Sequence, residues 1–102
     1  MELHEIEEAA RRFALLSDPT RLRILHIVME SGELPVYAIA EAAGASRFNT
    51  SAHLNRLAAG GLVARRREAS TVYYRLADGN LPDICEAMCA SLRARDRARA
   101  AV

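Results

Sequence analysis

The chain has 102 residues, of which 51% are hydrophobic and 26% charged, the balance of a folded globular protein and not of a disordered or fibrous one. That length suits one domain with one core, no apolar run approaches the ~20 residues of a membrane span, and the start, Met1-Glu2-Leu3-His4-Glu5, lacks the regions of a secretory signal. A cytoplasmic single domain over 1–102 with no membrane partner is therefore expected, and its net charge of +1 conceals a segregation: Glu2, Glu5, Glu7 and Glu8 crowd the start, while Arg47, Arg56, Arg65, Arg66, Arg67 and Arg75 face only Glu68 between them.

Leu3, Ile6, Ala10 and Phe13 recur at helical spacing and predict a first amphipathic helix from Glu2 to Leu16, with its acids at the favourable N-terminal end. Ser17-Asp18-Pro19 is a stop followed by a start: Asp18 caps, Pro19 suits the first helical position, and Leu22, Ile24, Leu25 and Val28 supply the apolar face of a second helix reaching Glu30. His26 falls in that apolar neighbourhood and reads as structural. Ser31-Gly32 breaks the chain, Pro35 opens a short helix from Val36 to Ala43, and Gly44 ends it. Ser46 caps a fourth helix, Arg47 to Ala59, whose Thr50, Leu54 and Leu57 form the inward stripe. Two short helices joined by a tight Gly-containing turn over 36–59 make a helix-turn-helix.

Two β-type segments follow, Leu62 to Arg67 and Thr71 to Leu76, with Glu68-Ala69-Ser70 as their connection, so 62–76 reads as a hairpin wing. Leu81, Ile84, Cys85, Met88 and Leu92 mark a last amphipathic helix within 78–96 that fades into an Arg- and Ala-rich tail. The predicted fold is mainly α with a small β-hairpin: a winged helix-turn-helix of five helices and a two-stranded wing.

The outward face of the fourth helix carries Phe48, Ala52, Asn55 and Ala59, flanked by Arg47, Ser51 and Arg56. Arg, Asn and Ser hydrogen-bond to base edges in a major groove, and Phe48 and Ala52 suit thymine methyls. Arg65, Arg66 and Arg67 of the hairpin would reach backbone phosphate or the adjacent minor groove, and Ser46 and Ser70 are further candidates for DNA contact. His53 lies toward the inward edge, where a structural hydrogen bond is the plainer role, and it stands as a secondary candidate. Any one arginine could merely keep a surface soluble. The order helix, turn, helix, basic hairpin is what points to double-stranded DNA.

The chain resembles the ArsR/SmtB family of dimeric winged-helix repressors in three segments: Phe13-Ala14-Leu15-Leu16-Ser17-Asp18-Pro19-Thr20-Arg21-Leu22-Arg23-Ile24-Leu25, then Ser51-Ala52-His53-Leu54-Asn55-Arg56-Leu57 leading into Gly60-Gly61-Leu62-Val63, then Val72-Tyr73-Tyr74-Arg75-Leu76. The resemblance implies a homodimer formed by the helices at 1–16 and 78–96, with the fourth helix in the major groove of an inverted-repeat operator. Two departures stand out. Ala52 replaces a side chain that is often polar in the family, shifting base reading toward Arg47, Ser51 and Asn55. Ala69-Ser70 replaces a glycine-containing wing turn, which predicts a longer or differently shaped tip.

Many members of the family sense metals. The stretch Glu33-Leu34-Pro35-Val36-Tyr37 lacks the family's Cys-x-Cys pair, and the last helix has Asp83 and Glu86 but no His, so neither familiar metal site is expected and no cofactor is required. Cys85 and Cys89 remain, one helical turn apart and compatible with a metal ion, a metalloid or an oxidant. The plainer reading makes both small hydrophobes of the interface stripe. His4 with Glu7 or Glu8 could offer hard ligands, although a solvated helix end accounts for them equally. No nucleophile–base pair, phosphate-cradling loop or hydrolytic motif argues for an enzyme. A protein-interaction module docking an acidic partner on the basic face is the alternative to a DNA-binding regulator.

Overall fold

The computed structural model describes residues 1–101. Its elements run α1 (Leu3–Leu15), α2 (Pro19–Ser31), β1 (Glu33–Pro35), α3 (Val36–Ala43), α4 (Arg47–Ala59), β2 (Val63–Glu68), β3 (Thr71–Leu76) and α5 (Leu81–Ala100). Local chemistry sets most of the boundaries. The Asp18 carboxylate accepts the Arg21 backbone N–H at 2.8 Å, and Pro19 sits where a missing N–H costs nothing. Gly44 takes a left-handed φ of 65° at the end of α3, the turn of the helix-turn-helix, and Ser46 Oγ accepts the Asn49 N–H at 3.0 Å to start α4.

The core is assembled from α2, α3, α4 and the sheet. Ile24, Leu25 and Val28 of α2, Ile39 of α3, and Leu54 and Leu57 of α4 are wholly buried, and Leu62 and Tyr74 close the cluster from below. Each such aliphatic side chain contributes about 1.5–3 kcal/mol by leaving water. The inward stripe predicted for α4 is the one observed: Thr50, Leu54 and Leu57 are buried and the remaining stripes are free for other uses.

The five helices and the two-stranded wing, β2 with β3, are as expected, and a third short strand joins the sheet. Glu33-Leu34-Pro35 pairs antiparallel with the outer edge of β3, giving three strands in the order β1-β3-β2. Without β1 that edge would leave backbone N–H and C=O groups unpaired, and Pro35 is tolerated because β1 is itself an edge. The wing tip is also corrected. Glu68 belongs to β2 and pairs with Thr71, so the turn is the two residues Ala69-Ser70. It is tight and not long, and Ala69 accepts a φ of 54° to make it, a strain of about 1–2 kcal/mol for a residue with a Cβ.

α1 and α5 stand apart from this body. α1 buries no residue and α5 buries only Leu81. An ion pair between Arg12 and Asp78 ties the end of α1 to the approach to α5, and a Cβ on Gly60 would collide with the Leu15 side chain, so glycine lets α1 close onto the end of α4. The radius of gyration is 15.4 Å, against about 13 Å for a compact domain of this length. His26 does not sit among apolar side chains: it is exposed on α2, with Nε2 3.7 Å from Glu30, because the helical period puts it on the face opposite the Ile24–Leu25–Val28 stripe. No helix among the described residues is long and apolar enough to cross a membrane.

Candidate nucleic-acid interface

Helical geometry sorts the outer surface of α4 into stripes that repeat every four residues. Arg47, Ser51 and Asn55 form one stripe, and it lines a groove of about 620 Å³ whose far wall is the wing, with Arg65, Ser70 and Tyr74. Phe48, Ala52 and Arg56 form the next stripe and face solvent; Phe48 is 83% exposed. Asn49 and His53 form a third and border a second groove with Thr20 and Arg23 of α2. The structure thus brings Arg47, Ser51, Asn55, Arg65 and Ser70 together, places Phe48, Ala52 and Arg56 beside them, and puts Ser46 and His53 on the opposite flank.

Two aromatic residues that the sequence reading did not single out shape the first groove. The Arg47 guanidinium carbon lies 5.6 Å from the centre of the Tyr37 ring, a cation–π distance that holds a long side chain over the mouth of the groove. Tyr74 is almost fully buried, yet its hydroxyl donates to Asn55 Oδ1 at 2.8 Å. Burial pushes the Tyr74 pKa up and the charge of Arg65 pulls it part of the way back. Neither contact is legible locally, since each joins residues on different elements.

The three wing arginines are not equivalent. Arg66 meets the Glu33 carboxylate at 2.7 Å and that of Glu68 at 2.8 Å, and its guanidinium carbon lies 4.5 Å from the Tyr73 ring centre. The Arg66 hydrogen bonds hold the Glu33 carboxyl below its ordinary pKa and raise that of Arg66. Arg67 donates to its own turn at Ala69 O, 3.3 Å away, and Arg65 stands exposed at the groove.

His53 is built into the junction of α2 and α4: Nδ1 is 3.5 Å from the guanidinium of Arg21, and Nε2 is 4.0 Å from Asp18 Oδ2. Arg21, itself buried, donates to Leu15 O at 2.6 Å. On α5, Cys85 is half-buried and Cys89 exposed; burial, and then the neighbouring Cys89, push the Cys85 thiol pKa up. No group of three or more His, Cys, Asp or Glu side chains able to hold a metal occurs among the described residues.

A helix-turn-helix whose second helix shares a polar, cationic groove with a β-hairpin defines a winged helix-turn-helix DNA-binding protein. Residues 16–66, half of the chain, match a family model described as a helix-turn-helix domain. The chain is 35% identical over 94 residues to a probable mercury resistance operon repressor of Streptomyces lividans, covering 92% of this chain and 73% of that protein. Among solved structures it is similar to an antimony-specific transcriptional repressor, AntR, with a TM-score of 0.84 and 28% identity over 94% of this chain and 86% of that one. It is also similar to a homodimeric winged helix-turn-helix domain of Mycobacterium bovis described as a possible ArsR-family regulator, with a TM-score of 0.70 and 34% identity over 91% of this chain and 82% of that one. The chain belongs to the ArsR/SmtB family of transcriptional regulators. It spans 31% of the length of one curated relative it matches and 92% of another.

Proposed function

We propose that the chain acts as a homodimer on an inverted-repeat DNA operator and represses transcription until an effector releases it. The observation that carries the DNA reading is the groove in which Arg47, Ser51 and Asn55 of α4 face Arg65 of the wing. A helix of this width enters a major groove, Arg47, Ser51 and Asn55 then reach base edges, and Phe48 and Ala52 meet apolar base surface. Arg65 and Arg67 engage phosphate on one flank, with Ser46 on the other. Arg66, with its charge already matched by two carboxylates, braces the wing against β1, and His53 braces α4 against α2.

The dimer reading rests on α1 and α5. Leu3, Ile6 and Phe13 on one, and Ile84, Met88 and Leu92 on the other, are all exposed. A helix of α1's length is marginal in water without a packing partner, and a second copy supplies one. The acidic start of α1 and the arginines at 93, 95, 97 and 99 give such an interface complementary ends. Two related proteins carry names that attach them to mercury and antimony. One chain offers a soft ion only Cys85 and Cys89, half of a four-thiolate set, so the effector reading needs both copies, with two pairs of thiols meeting across the α5 helices.

Selection from a random duplex library tests the DNA reading. The wild type should return one inverted-repeat motif, and Arg47→Ala should lose preference within it while Arg67→Ala weakens all duplexes alike. Equal, sequence-blind losses from both would refute these roles. For the effector, Cys85→Ser with Cys89→Ser should leave operator binding intact and abolish release by thiophilic ions; release that survives the double substitution would refute the thiol site.

A further inference from the structure

We propose that Tyr74 fixes the orientation of the Asn55 amide, holding Oδ1 toward β3 so that Asn55 turns its NH2 toward DNA and selects guanine over adenine at the base pair it meets. The inference rests on the reading of α4 as the base-contacting helix and adds what one of its side chains reads. An asparagine amide that is free on both sides recognises adenine bidentately, its carbonyl accepting from the adenine amino group while its NH2 donates to N7. Asn55 is not free on both sides. Its Oδ1 accepts the Tyr74 hydroxyl at 2.8 Å, and Tyr74 is almost fully buried, so this partner cannot swing away.

The orientation of the amide follows from the neighbours. Arg65 lies directly opposite Tyr74 in the register of β2 and β3, and a guanidinium can only donate. A cation beside the phenolic oxygen favours the rotamer in which the O–H points away from it, toward Asn55. With the amide turned the other way, an NH2 and a hydroxyl directed at one another would leave one proton with no acceptor. The arrangement that satisfies all three groups runs in one direction, with Arg65 beside the Tyr74 oxygen, the Tyr74 hydroxyl on Asn55 Oδ1, and Asn55 Nδ2 left as the group that faces out of the groove. Among the described residues Nδ2 makes no hydrogen bond. Its two hydrogens match guanine, which shows two acceptors, N7 and O6, in the major groove; adenine shows one acceptor and one donor, and the donor would meet no acceptor.

Tyr74 is thus a positioning residue, and the test reads base preference and not affinity alone. Motifs are selected from a random duplex library for the wild type and for Asn55→Ala, and the base pair whose preference Asn55→Ala erases is assigned to Asn55. The wild type should favour guanine over adenine there by about tenfold. Tyr74→Phe keeps the ring in the core and frees the amide to turn, so the ratio should fall toward one while the rest of the motif persists. Should Tyr74→Phe not fold, Asn55→Asp on the exposed side of α4 replaces the outward donor with an acceptor and should abolish the guanine preference. A wild-type selection that yields no motif at all would overturn the DNA-reading proposal itself. A motif with adenine at the assigned pair, a guanine preference unchanged in Tyr74→Phe or Asn55→Asp, or an Asn55→Ala variant that weakens every duplex equally would overturn this inference and leave that proposal standing.

Discussion

The Asp18 carboxylate caps α2, and the Arg21 backbone N–H it accepts is the main reason its pKa is lowered, with the nearby charges of His53 and Arg21 adding to it. A carboxyl with a folded pKa below its unfolded value contributes stability that is full above the unfolded pKa and is lost as pH falls through the folded one. Glu33 shifts the same way, through Arg66. Thermal melts should therefore weaken progressively below about pH 4, and Asp18→Asn, which keeps an amide oxygen for the cap, should lose less on acidification than the wild type. An acid limb identical in the two proteins would separate Asp18 from the effect. Arg66 is the second case. The run Arg65-Arg66-Arg67 reads as three equal cations, and only the fold shows the central one held between Glu33 and Glu68. In salt titrations of DNA binding, Arg65→Ala should reduce the log–log slope by about one, and Arg66→Ala should change it distinctly less.

At the scale of elements, the helices were legible because each carries its own start and stop signals. Asp18-Pro19, Gly44 and Ser46 act on immediate neighbours, and the stripe Thr50, Leu54 and Leu57 needs only the helical period. Ser46→Ala should cost about 1 kcal/mol in denaturant unfolding, with α4 keeping its place through Leu54 and Leu57. β1 was not legible, since three residues ending in proline form a strand only because β3 offers an open edge. The tight wing turn was missed because Ala69 adopts a conformation that usually calls for glycine; the favourable pairing of Glu68 with Thr71 and of the residues behind it holds it there. His26 is close in sequence to Ile24, Leu25 and Val28, but the helical period turns it to the opposite face. Within the candidate site, α4's contribution was visible as a periodic pattern, whereas Tyr37 and Tyr74 approach it from other elements and left no local trace. α1 and α5 bear on association: Met88→Glu, placing a charge in a stripe proposed to be buried between copies, should shift the protein toward monomer in sedimentation and lower its helicity as α1 loses its partner.

For the whole molecule, α2, α3, α4 and the sheet build the core together with Leu81 of α5, and the two outer helices otherwise leave apolar surface exposed. Twofold pairing through those helices would hold two copies of α4 in fixed relation, so that each meets a half-site about one helical turn of DNA, roughly 34–36 Å, from the other. Binding through such paired faces weakens steeply with salt, because each neutralised phosphate releases counterions, and it depends on half-site phase. The most direct measurement is therefore the affinity and stoichiometry of the purified protein on its selected duplex as the half-site separation is varied by insertion. Two chains should bind each duplex, and an insertion of half a helical turn should abolish tight binding. One chain per duplex, with affinity indifferent to spacing and sequence, would contradict the account.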